Sequence, residues 1–113
     1  MAITIASRIV SGVVILDLSG RFAENEISLK ELVDSLLNEG RKHFLLNLAG
    51  VPYVGTWGIS QMISMWTSIR ARGGTMGFVA PVKTVREVLQ ILKLDEIFKL
   101  YPNEAAALRD FIS

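Results

Sequence analysis

Two short, almost unbroken apolar runs, Val13-Val14-Ile15-Leu16 and Phe44-Leu45-Leu46, bracket a stretch in which Leu29, Leu32, Val33, Leu36 and Leu37 recur at helical spacing. A run with no polar alternation reads as a buried strand in the interior of a sheet. A helix between two such strands implies a parallel pair joined by a right-handed crossover. The rest of the chain repeats this alternation. Ile3 to Val10 is β-branched-rich and reads as a strand, turned by Ser11-Gly12 into the strand Val13 to Leu18, which Ser19-Gly20-Arg21 closes. Ser28 with Glu31 fits a capping box for the first helix, and Gly40 stands where a C′ glycine would end it. His43 to Leu48 is a central strand, and Ala49 to Gly55, carrying Pro52, is a loop. A second helix starts at Thr56 with the apolar stripe Ile59, Met62, Ile63, Trp66 and Ile69; Arg70 and Arg72 suit its negative end, and Gly73-Gly74 terminates it. Thr75 to Val79 is a strand. Pro81 precedes a helix whose face is Val82, Val85, Val88, Leu89 and Leu92. Ile97 to Tyr101 reads as a short edge strand, and Pro102 opens a last helix, Asn103 to Phe111. The expected fold is α/β, a mixed sheet of four or five strands with about four helices packed mainly on one face.

The 113 residues suffice for one domain, spanning 1–113, with a core of its own. Half the residues are apolar, which argues against disorder. Twelve basic and 11 acidic side chains leave a formal charge of +1, so there is no electrostatic footprint for nucleic acid or an anionic membrane. With no cysteine, disulfides, zinc-thiolate sites and thiol nucleophiles are excluded, and a single histidine cannot build a His-cluster metal site. Met1 to Arg8 lacks the pattern of a signal peptide, and no apolar run reaches the ~18 residues of a membrane span. A soluble cytoplasmic protein without direct membrane insertion is the expectation.

Catalytic chemistry has few candidates. His43 opens a strand behind the Arg41-Lys42 turn and reads as a partly exposed strand residue rather than a general base. The carboxylates Glu24, Glu26, Asp95 and Glu96 sit in loops and helix ends with nothing to converge them on a cleft. No glycine-rich phosphate cradle appears. Lys83, Arg86 and Lys93 lie roughly on one helix face, interrupted by Glu87, and read as a solvated surface. Neither an enzyme nor a cofactor is expected.

The informative segment is Asn47 to Trp66, where a strand runs into a tight loop and a hydroxyl residue stands at a helix start. At about 100° per residue, with Trp66 central to the buried stripe, Trp57 projects about 180° away. Gln61, Ser64 and Ser68 share its side and Met65 flanks it. An exposed Trp beside small polar residues suits a protein contact; the alternative is a Trp folded back on the loop near Tyr53. Thr56 likewise has two readings. As an N-cap it would accept a first-turn N–H, worth about 0.5–2 kcal/mol against Ala. As a phosphoacceptor it would gain a charge of about −1.5 to −2 that a helix N-terminus tolerates.

The chain as a whole resembles the STAS domain, the module shared by sulfate transporters and bacterial anti-sigma factor antagonists. The resemblance is carried by Leu18-Ser19-Gly20, by Leu46 to Val54, and by Leu89 to Leu108 with its Leu94-Asp95-Glu96-Ile97-Phe98 and Tyr101-Pro102 segments. In single-domain antagonists the loop carries Asp-Ser-Ser-Gly-Leu or a variant, whose first hydroxyl residue is phosphorylated by a partner kinase. The matching stretch here is Gly55-Thr56-Trp57-Gly58-Ile59, so Thr56 takes the acceptor position and Gly58 keeps the glycine. Gly55 replaces the Asp and Trp57 replaces the second hydroxyl residue.

The resemblance implies an anti-sigma factor antagonist acting by partner switching. Its unphosphorylated form would bind a protein kinase that is also the anti-sigma factor, of the histidine-kinase-like ATPase type, and phosphorylation at Thr56 would weaken that binding in transcriptional and stress-response control. Gly55, Trp57, Gly58, Gln61, Ser64 and Met65 are the expected partner-contact residues. The alternative is a constitutive interaction module without phosphoswitching, either a stress-complex scaffold or a transporter accessory subunit. Trp57 and Met65 could equally serve a homodimer.

Overall fold

Ser11 and Gly12 both adopt positive φ, 52° and 81°, as a tight hairpin turn of the primed type requires. They fold β1 (Thr4–Val10) antiparallel onto β2 (Val13–Ser19). These elements belong to a computed structural model that describes residues 3–23 and 27–112, with the side chains of Ile27 and Ser28 also outside the description. Glu24 and Glu26 therefore lie outside the described residues.

The chain continues through α1 (Ile27–Asn38), β3 (His43–Gly50), α2 (Thr56–Ala71), β4 (Thr75–Val79), α3 (Lys83–Ile91), a 3₁₀ turn (Leu94–Glu96), β5 (Lys99–Tyr101) and α4 (Glu104–Ile112). The five strands form one sheet in the order β1-β2-β3-β4-β5. Each pair after the opening hairpin is parallel. The mixed five-stranded sheet with four helices is the expected architecture.

The unbroken apolar run of β2 is explained by cover on both sheet faces. Val14, Leu16 and Leu18 join Phe44, Leu46, Leu48 and Phe78 in the main core, under Leu29 and Val33 of α1, Met62 of α2 and Val85 and Leu89 of α3. Val13, Ile15, Leu45 and Val79 point to the other face, where α4 covers them with Ala107, Leu108 and Phe111. Three helices thus pack on one face and one on the other.

Local signals account for most boundaries. Gly40 ends α1 at φ +95°, with its N–H bonded to the Leu37 carbonyl at 3.0 Å. The Asn103 side-chain oxygen accepts the Ala106 N–H at 2.9 Å and caps α4. Two expectations shift. α1 begins at Ile27, so Ser28 stands inside the helix rather than ahead of it, and the expected pairing of its side chain lies outside the described residues. β5 is shorter than Ile97 to Tyr101, because the Phe98 N–H closes the preceding turn on the Leu94 carbonyl at 2.8 Å and its ring packs 4.9 Å from Phe78.

α4 is also held to the sheet by charge. Arg8 of β1 donates to Asp17 of β2 at 2.7 Å and to Glu104 of α4 at 3.1 Å, and Asn47 of β3 donates to Asp17 at 2.8 Å. The Arg8 guanidinium holds both carboxyls below the usual carboxylate range, with Asn47 assisting at Asp17. A depressed folded-state pKa contributes stability that is present above the unfolded value, about 3.9 for Asp and 4.3 for Glu, and is lost as pH falls through the folded one. Arg8→Gln should therefore unfold at a higher pH than wild type when acid titration is followed by far-UV circular dichroism. An unchanged acid midpoint would show that these partly exposed ion pairs do not contribute.

Candidate functional site

β3 delivers the chain into a loop that is stitched to the segment after β2. Gly20 donates to the Gly50 carbonyl at 2.9 Å, Phe22 donates to the Tyr53 carbonyl at 2.9 Å, and Gly55 donates back to the Phe22 carbonyl at 3.0 Å. Phe22 and Val54 form a parallel bridge. Beneath the loop the side chains of Phe22, Val51 and Val54 are buried. Backbone pairing above an apolar plug fixes the start of α2 relative to the sheet.

Gly55, not Thr56, is the N-cap of α2. It is extended, with φ −101° and ψ −173°, and its carbonyl accepts the Ile59 N–H at 3.0 Å. A Cβ at this position would meet Ala23 Cβ and the Tyr53 ring, each at 3.2 Å. The close packing around Gly55 leaves little space for a side chain at the position where an Asp was the comparison. Thr56 becomes the first helical residue. It is exposed, and its hydroxyl makes no hydrogen bond with the described residues. This corrects the N-cap reading, because the extended residue that caps the helix precedes Thr56.

Trp57 is 58% exposed, as its position opposite the buried stripe implies. The stripe itself is rotated from the expected one. Gly58, Met62, Met65 and Ile69 are buried, Trp66 is half-buried, and Ile63 is exposed. Gly58 explains the rotation: an added Cβ would lie 2.1 Å from the Phe22 carbonyl oxygen, so the helix rests on its glycine side there. Met65, expected beside Trp57 on the surface, is fully buried in the core for the same reason. Gly58 is likewise a packing position and not an exposed one. Gln61 is half-buried and Ser64 exposed.

α3 supplies a wall that the sequence reading did not assign to the site. Val88 and Leu92 face Tyr53, Thr56, Ile59 and Ser60 across a shallow groove of about 470 Å³. Leu92, expected on the buried face of α3, is 51% exposed, and Ile91 is 78% exposed. The signal available in the sequence was the apolar pair Ile91-Leu92, which adds to Val88 and Leu89 more apolar surface than one helix face can bury. Over the Tyr53 ring, at 4.4 Å from its centroid, sits the Arg21 guanidinium. Arg21 and the positive end of α2 give this corner a cationic bias.

The groove lining carries no imidazole, carboxylate or amine. His43 stands at the other end of β3 from Thr56. What the corner offers is an exposed hydroxyl, an exposed indole and an apolar trough on a fixed backbone, which suits contact with a protein surface. No helix of the described residues is long and apolar enough to cross a membrane.

A family model for the STAS domain matches residues 4–107. The crystal structure of a candidate anti-sigma factor antagonist from Thermotoga maritima superposes with a TM-score of 0.87 at 30% identity, covering 94% of this chain and 92% of that one. An anti-sigma factor antagonist from Mycobacterium paratuberculosis superposes with a TM-score of 0.87 at 21% identity, over 99% and 96% of the two chains. The phosphorylated form of the Bacillus cell fate determinant SpoIIAA shares the fold, with a TM-score of 0.74 at 15% identity over 97% and 99%. No curated protein matches this chain.

Proposed function

The chain belongs to the STAS domain family, and we propose that residues 1–113 act as one non-catalytic unit, a cytoplasmic anti-sigma factor antagonist working by partner switching. The observation that carries this reading is the exposed Thr56 hydroxyl at the N-terminus of α2, beside exposed Trp57 and the trough bounded by Val88 and Leu92. The unphosphorylated surface binds a kinase of the histidine-kinase-like ATPase type that also serves as the anti-sigma factor. A phosphate on Thr56 adds about −1.5 to −2 charge at pH 7. The helix dipole and Arg21 tolerate that charge, so the fold persists. The partner, however, must then accept a dianion beside an apolar trough, and the desolvation cost falls on binding.

Thr56→Glu should fold as wild type and bind the ATPase partner about tenfold more weakly, a loss of about 1.4 kcal/mol. Thr56→Ala should keep binding and take no phosphate. Affinity capture from the native organism, followed by titration of the captured ATPase against each variant, reads both effects. Equal affinity of Thr56→Glu and wild type would overturn the switch. The packed surroundings of Gly55 favour a second reading, since they leave little space for the acidic neighbour of the antagonist motif. In that case the domain is a constitutive scaffold or transporter accessory subunit, and both Thr56 variants hold the same partners.

A further inference from the structure

A second cavity lies at the opposite end of the sheet from Thr56. It sits under the first residues of β3, β4 and β5, which are His43, Thr75 and Lys99, between the second half of α2 and the end of α4. Its volume is about 350 Å³, within the size range of sites for small molecules. Trp66, Ile97 and Phe111 give it apolar and aromatic walls. The polar groups are few and mostly tied. His43 Nδ1 lies 2.8 Å from the Thr75 hydroxyl, and its ring meets Phe111 edge-on with centroids 6.3 Å apart. Lys99 donates to Asp110 at 3.2 Å, and the Tyr101 hydroxyl bonds the same carboxylate.

Arg70 differs from the other charged groups. Its guanidinium lies 5.2 Å from the centroid of the Trp66 ring and has no carboxylate partner among the described residues. With Lys99 and Asp110 offsetting each other, the cavity carries one cation in excess at its mouth. A guanidinium fork against an indole face presents parallel N–H donors to a carboxylate and a flat surface to a ring. We propose that this cavity binds a small planar organic monoanion of the aryl carboxylate class, with its ring against Trp66 and Phe111 and its carboxylate on Arg70. The site is independent of the phosphoacceptor corner, and its test does not depend on that reading.

The test titrates the full chain with 1-naphthoate and, separately, with neutral 1-naphthamide, followed by ¹H–¹⁵N correlation spectra and Trp66 fluorescence in a Trp57→Phe background. Naphthoate should saturate, with shifts confined to residues around 43, 66–70, 74–76, 97–99 and 110–111. The amide should bind about tenfold more weakly, as expected on losing a charge-assisted pair. Arg70→Gln, an exposed substitution whose fold the same spectra verify, should weaken naphthoate by a similar factor and leave the amide unaffected. Lys99→Gln, which leaves the Asp110 charge facing the anion, should also weaken it. No saturation at millimolar ligand, equal binding of acid and amide, unchanged affinity in Arg70→Gln, or shifts centred on Thr56 would each overturn the proposal.

Discussion

Gly58→Ala should lower stability by about 2 kcal/mol, although the same change in an ordinary helix interior gains up to about 1 kcal/mol from propensity. The sign is set by the Phe22 carbonyl oxygen, 2.1 Å from where the new Cβ would stand. That oxygen cannot retreat freely. Phe22 is tied to Tyr53 and Gly55 by two backbone hydrogen bonds, and its ring is wholly buried. The first turn of α2 must therefore lift away from the loop, and Met62 and Met65 lift with it. At about 4–8 °C per kcal/mol for a domain somewhat shorter than this one, the melting temperature should fall on the order of 10 °C. Calorimetry reads the loss, and amide shifts concentrated at 20–23 and 50–60 would locate it. A Gly58→Ala protein as stable as wild type would mean that the close approach to Phe22 is not a constraint.

Trp57→Ala should have the opposite profile. The indole is 58% exposed, so its removal should change stability by no more than about 0.5 kcal/mol. If the corner is a protein contact, the same truncation removes an anchor of the type that dominates interface energetics, and affinity should fall about thirtyfold, or about 2 kcal/mol. Isothermal titration against the captured ATPase partner measures it, with thermal melts as the fold control. This loss is expected whether binding is switched or constitutive, so Trp57 reports the surface while Thr56 reports the switch. Unchanged affinity in Trp57→Ala would move the contact away from the N-terminus of α2.

The strands of the main sheet were legible because β2 and β3 are apolar at successive positions, which only cover on both faces permits. The hairpin and the end of α1 were legible because Ser11-Gly12 and Gly40 occupy positive-φ positions. The orientation of α2 was not. A helical wheel weights large apolar side chains, and so it placed Trp66 and Ile63 inward. The helix instead rests on Gly58, whose value lies in having no side chain, and this rotation takes Met65 into the core. The cap was misplaced by one residue for a related reason, since Gly55 has no side chain to announce it. The wall from α3 was hidden because Val88 and Leu92 look like core residues at helical spacing. Thr56 at a helix start was legible from the residues themselves, and the family resemblance adds its alignment with the acceptor position, while its exposure and its place as the first residue, rather than the cap, of a 16-residue helix come from the structure.

The most direct measurement of the central claim is phosphosite mapping by mass spectrometry on this protein recovered from its native cells, coupled to titration of the recovered phosphorylated and unphosphorylated forms against the ATPase partner. Phosphate on Thr56 is expected, with about tenfold weaker binding by the form that carries it. An unmodified Thr56, or equal binding by both forms, would contradict it and leave an interaction module whose threonine merely begins a helix.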